Sequence, residues 1–229
     1  MNYLAHALPF LDEPYFMAGT GVPDWLTVCD RQVRVRLRHV EPLLSAADPI
    51  TAAIASGVLQ HLCDDARFHE TRAFMETSLE LTVRARDALG DVNGFRPSFL
   101  GHLLVEVLLD AALAAEDPVR LEAYYAALAT IDAGLVQAAV NRMVPRPTDR
   151  LAPMIVAFRQ HRILYDYLED GKLMLRLNQV MRRVRCDPLP ASFADLLPAA
   201  RRLVAERQRE LLEGIPAKGS GFGVQGSAS

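Results

Sequence analysis

The stretch FLGHLLVEVLLDAALAA, residues 99–115, constrains this chain more than any other. Its polar side chains are His102, Glu106 and Asp110, each one helical turn from the next, so on a helix they form a single stripe. The other positions are apolar or glycine, and a helix that is apolar nearly all round is a buried one. Carboxylates buried without partners would cost several kcal/mol each. Something must compensate them: a cation, an arginine or an enclosed metal.

A second ladder lies upstream. In GVLQHLCDDARFHE, residues 57–70, His61, Asp65 and His69 again stand at successive turns. One turn separates His61 and Asp65 by a few ångströms, so both can meet one ion. Two helices that each present such a ladder can face one another and enclose a metal cluster, as in carboxylate–histidine bundles. Nitrogen and carboxylate ligands together suit zinc, manganese or iron. His6 sits in an apolar setting (Leu4, Ala5, Ala7, Leu8), Asp24 follows the turn-like GTGVP, and His39 closes the segment Asp30–His39.

Taken singly, each of these histidines is more often a satisfied core or surface residue than a ligand. The 99–115 stripe has an alternative in a structural network with arginines. His39 reads equally as a solvated helix terminus, and His161, flanked by arginines, as structural or surface. The case for metal rests on the gathering of such residues in the first 110 positions.

Helical spacing recurs nearly everywhere and alternating strand patterns are absent, so the expected fold is all-α, a single multi-helix bundle. The spacing predicts helices over Asn2–Leu11, Asp30–His39, Pro49–His69 with Asp48 as N-cap, Thr71–Leu89 ended by Gly90, 96–115, 119–143, 151–168, 171–185 and 192–212. Gly19–Asp24 reads as a break. Residues 1–213 form the metal-binding helical domain and 214–229, rich in Gly and Ser, a flexible tail.

The net charge of −3 argues against double-stranded nucleic acid as a partner. Cys29, Cys63 and Cys186 are odd in number and lack zinc-finger spacing, which fits a reducing compartment. The opening MNYLAHALPFLDEP has no basic region before its apolar stretch, and no uninterrupted apolar run reaches transmembrane length. A cytoplasmic location is therefore expected. Arginines cluster at 176, 182, 183 and 185, and again at 201, 202, 207 and 209. Such runs either bind a phosphate or acidic partner or form a solvated face.

MNYLAH, the turn before Asp24-Trp25, GVLQHLCDD and LVEVLLDAAL together resemble the acyl carrier protein phosphodiesterases. That family is all-helical, related to the HD-type metal hydrolases, and cleaves with manganese the phosphodiester that joins phosphopantetheine to its carrier. The resemblance implies a metal or catalytic role for Asp24, a shared site with His6, His61 and Asp65, and an acidic pair at Glu106 and Asp110, with Asp110 catalytic or supporting. Leu62 stands where the family has an arginine, and His69 and His102 are additions.

The order of residues is also similar to the zinc-dependent phospholipase C and single-strand nuclease family. There His6, Asp24 with His39, His61 with Asp65, His69, and His102 with Glu106 would be the ligands. Both resemblances imply a phosphodiester hydrolase with zinc or manganese, acting on an acyl carrier protein or a phospholipid.

Overall fold

The computed structural model describes residues 2–90, 94–213 and 215. Among them the chain is all-helical, with no strand, and its buried apolar residues form one continuous core. The expected tail lies, apart from Ile215, outside the described residues.

A short helix α1 (Tyr3–Ala7) leads through a 3-10 turn into α2 (Pro14–Cys29). Here the structure departs from the sequence reading. Gly19–Asp24 is not a break but the middle of α2, and Pro23 lies inside the helix. Asp30–His39 is not a helix; only α3 (Leu37–Val40) forms there, while Val33 tucks into the core. The glycines of α2 serve packing rather than turning. A Cβ on Gly57 would come 2.0 Å from the Phe16 carbonyl oxygen, and one on Gly19 would come 2.4 Å from that of Ile54. The backbones of α2 and α4 (Pro49–Glu70) therefore touch at a point where neither can carry a side chain.

Capping chemistry fixes the next elements. Asp48 accepts from the N–H of Ile50 and Thr51 at the start of α4, as its sequence implies. Thr71 separates α4 from α5 (Arg72–Leu89) and caps the latter through the Phe74 N–H; Gly90, at φ 63°, ends it. The helix predicted over 119–143 is instead two, α7 (Pro118–Thr130) and α8 (Ala133–Arg142), bent by 78°. Asp132 causes the break: its carboxylate accepts from Gly134 and Leu135 and starts α8 afresh. Likewise α9 (Leu151–His161) stops where Arg162 turns left-handed, and a 3-10 stretch follows. α10 (Asp170–Arg183), α11 (Leu197–Glu206) and α12 (Gln208–Leu211) complete the bundle.

At the centre lies α6 (Pro97–Glu116), packed against α1, α5, α11 and the 3-10 stretch after α9. Although polar residues interrupt it, α6 is long and apolar enough to cross a membrane by length and composition; most of it is buried inside the bundle.

Gly57→Ala should lower unfolding stability by about 1–3 kcal/mol, the usual cost of overpacking a close contact. Denaturant unfolding measures it, and an unchanged midpoint would mean that α2 and α4 do not touch in this way.

Candidate metal centre

Helix α4 carries the first ladder on its inward side. His61 is buried, and its Nδ1 lies 2.7 Å from the Thr20 carbonyl oxygen of α2. A carbonyl only accepts, so Nδ1 bears the proton. Nε2 faces Asp65 Oδ2, 3.4 Å away. An imidazole held through Nδ1 with Nε2 offered inward is the usual state of a metal-ligating histidine.

His6 of α1 completes this group. Its ring stacks on that of His61 with centroids 4.1 Å apart. His6 Nε2 is 3.3 Å from Asp65 Oδ1 and Nδ1 is 3.6 Å from Asp64 Oδ2, yet neither nitrogen makes a hydrogen bond although both are buried. Buried polar atoms without partners are rare in native proteins and call for an explanation. Burial pushes the Asp65 carboxyl up, but the two imidazoles overcome it and hold the group well below the usual carboxylate range.

One turn further along α4, His69 meets the stripe of α6. Its Nε2 is 3.1 Å from Glu106 Oε1, and His102 Nε2 is 3.2 Å from the same oxygen. Phe74 packs against both rings. Burial acts upward on Glu106 too, but the positive charge of the N-terminus, with His102 and His69 after it, outweighs burial and leaves the carboxyl below the ordinary range. His6, His61 and Asp65 thus form one group able to hold a metal ion, and His69, His102 and Glu106 a second.

Asp24 stands between them in electrostatic terms, within reach of His61, Glu106 and Asp65. Its Oδ2 is buried without a hydrogen-bond partner, and burial pushes the carboxyl up to about 7. Asp110 has a different role from the one its place in the stripe suggests. It is buried, and its two oxygens accept the N–H groups of Leu4 and Ala5 at 2.9 and 2.8 Å. The first turn of α1 compensates it, and α1 is the helix that presents His6. Burial still lifts its carboxyl to about 7 against those two hydrogen bonds.

The structure does not bring His39 into either group. Its Nε2 accepts from Arg38 at 3.1 Å, and it lines a separate basic hollow with Arg34, Arg36 and Arg146. The metal ligands expected at His6, His61, Asp65, His69, His102 and Glu106 do converge, with Asp24 beside them. Two participants went unnoticed in the sequence: the Thr20 carbonyl, which no sequence pattern marks, and Asp64, which the Gln60 amide binds at 2.7 Å. Asp64 could have been found, since it adjoins Asp65.

Asp24 and Glu106 open onto a cavity of about 810 Å³. Its walls include Phe99, Leu103, Met154 and Ile163, with Asn2, Tyr3 and Tyr167 as polar neighbours and arginines of α10 at one side. Compared with models of protein families, with curated proteins and with solved structures, the chain matches none.

In the metal-free protein Asp24 is protonated below about pH 7, and a carboxylate must lose its proton to bind an ion. Zinc affinity should therefore gain about tenfold per pH unit from this group below its pKa and nothing above it. Competition titrations against a chelating dye, in wild type and Asp24→Asn, measure the difference. Equal pH slopes in the two proteins would remove Asp24 from the ion's surroundings.

Proposed function

We propose that this protein is a metal-dependent phosphoester hydrolase acting on phosphodiesters. The observation that carries the reading is the pair of histidine–carboxylate groups set one helical turn apart on α4, with Asp24 and Glu106 giving onto one cavity. The donors fit a divalent ion. They combine imidazole nitrogen with carboxylate oxygen, His61 is held through Nδ1 with Nε2 turned to the group, and His6 and Asp24 have buried polar atoms without partners.

His6, His61, Asp65 and Asp24 would hold one ion, and His69, His102 and Glu106 another, with zinc or manganese suiting the set. When bound, such ions acidify water and neutralise charge on a phosphoryl group. The chain's own residues do the rest. Asp110 fixes α1 and so the position of His6. Asp24, with its carboxyl near neutrality, can hold or release a proton at the cavity wall. Phe99, Leu103 and Met154 exclude water from one side of the bound ester. The similarity in residue order to acyl carrier protein phosphodiesterases and to the zinc phospholipase C group supports the same reaction type, with the phosphodiester borne by a carrier protein or a lipid.

Purified protein should contain zinc or manganese at stoichiometric level by elemental analysis and should hydrolyse bis(p-nitrophenyl) phosphate. Asp24→Ala and His61→Ala should abolish turnover. Asp110→Ala should weaken metal binding by about 10–100-fold, the range found when a group that orients ligands is removed. Metal-replete protein inert toward a panel of phosphoesters would leave a helical scaffold whose ions serve stability alone. A chelator would then lower its melting temperature without any activity to lose.

A further inference from the structure

The arginines of the C-terminal clusters and of the cavity wall fall into two kinds. Arg176 binds Asp166 through Nε and Nη2 at 2.7 and 2.6 Å, Arg201 binds Asp170, and Arg207 binds Glu76 and Glu210. These are structural ion pairs, made by one arginine of the first cluster and two of the second. Arg183 and Arg31 differ. Both line the cavity. Arg31 Nη1 donates to the backbone carbonyl of Arg183, and Arg183 Nε reaches only the Gln179 carbonyl, at 3.4 Å. Among the described residues neither guanidinium has a carboxylate partner.

Arg31 thus lies against the backbone of Arg183, and the two side chains share one cavity wall with no carboxylate on either. Burial lowers the Arg183 pKa, and the charge of Arg31 adds a smaller push in the same direction. An anion bound by both groups would offset that cost. Asp24 and Glu106 line the same cavity as the two arginines. Asn2, also on the cavity wall, has its side chain against Tyr167. Phe99, Leu103 and Met154 add apolar wall to the cavity.

We propose that Arg183 and Arg31 bind a second anionic group of the substrate, so that the natural ligand is a phosphoester whose apolar arm ends in a further phosphate or carboxylate. The Arg fork matches either oxyanion. This builds on the hydrolase reading for the metal-bound end of the ligand and adds the other end. A ligand with a cationic or neutral terminus would leave the two guanidinium groups opposed.

The test uses non-hydrolysable probes on the full-length, zinc-loaded protein. Alkane-α,ω-bisphosphonates of four to ten carbons are compared by calorimetry with alkylphosphonates of equal length. At one or more lengths the bisphosphonate should bind at least tenfold more tightly. Arg183→Gln and Arg31→Gln should each bring that ratio toward one, with affinity for the alkylphosphonate and zinc content unchanged. Arg31 is exposed, so its variant reads the site even where Arg183→Gln folds poorly. A matched ω-phosphonocarboxylate series tells a phosphate terminus from a carboxylate.

A ratio near one at every length, or one that persists in the double variant, overturns the inference. Zinc content and turnover of bis(p-nitrophenyl) phosphate on the same samples keep its failure apart from failure of the hydrolase reading. With both intact and no ratio, only the second-anion site falls. With neither present, the bisphosphonate affinity of wild type against the arginine variants still decides it.

Discussion

The contact on which the site depends is between two backbones. Gly19 and Gly57 let α2 and α4 approach until a single Cβ on either would strike the other helix. One turn beyond Gly57 on α4 stands His61, and next to Gly19 on α2 is Thr20, whose carbonyl receives the His61 Nδ1 proton. A wider helix spacing would lengthen that 2.7 Å bond and free the imidazole to turn or change tautomer. Pro23 adds to this. Lacking an N–H, it leaves a gap in the ladder of α2 beside the carbonyls that face α4. A similar close approach joins α5 and α6, where a Cβ on Gly101 would lie 2.2 Å from Thr82 Oγ1. His102 follows Gly101 directly, so both histidine-bearing faces are set by glycine contacts.

Electrostatics then decides which carboxylates can stay ionised inside the bundle. An ion-strength hydrogen bond contributes about 1.5–3 kcal/mol, so the two N–H groups that meet Asp110 offset a burial cost of several kcal/mol only in part. Its pKa near 7 is the residue of that balance. Asp65 and Glu106 resolve the same conflict in the opposite direction: two imidazoles face Asp65, and the N-terminal charge adds to the two that face Glu106. Of these three carboxylates two are held ionised and one is lifted toward neutrality, according to how much hydrogen bonding and positive charge surrounds each.

Much of this was legible in the sequence. The two ladders on α4 and α6 are periodic, and periodicity survives folding because side chains one turn apart share a face in any helix. The Asp48-Pro49 start and the Gly90 stop were equally plain. What misled was composition. GTGVP reads as a turn, since Gly and Pro are depleted from helix interiors, yet here tertiary packing outweighs local propensity. His39 matched in residue order but lies on the segment after α2, which the end of that helix directs to another part of the surface. The role of Asp110 was hidden for a different reason. Its partners are backbone N–H groups more than a hundred residues away, and backbone donors leave no mark in a sequence.

The sharing of α4 between the two groups has a mechanical consequence. Asp65 belongs to the first and His69 to the second, so one rigid turn of helix fixes their separation. Helix α4 is held on one side by the backbone contact with α2, and His69 meets α6 through Glu106. Motion of either neighbour would disturb both groups at once. The most weakly anchored member is His6, on a helix of only five residues. Its position is secured by the Asp110 carboxylate from below and by stacking on His61 from the side. Asp110 therefore belongs to the site through geometry: it connects the central helix to the N-terminal one, and the chemistry of the first group depends on that connection.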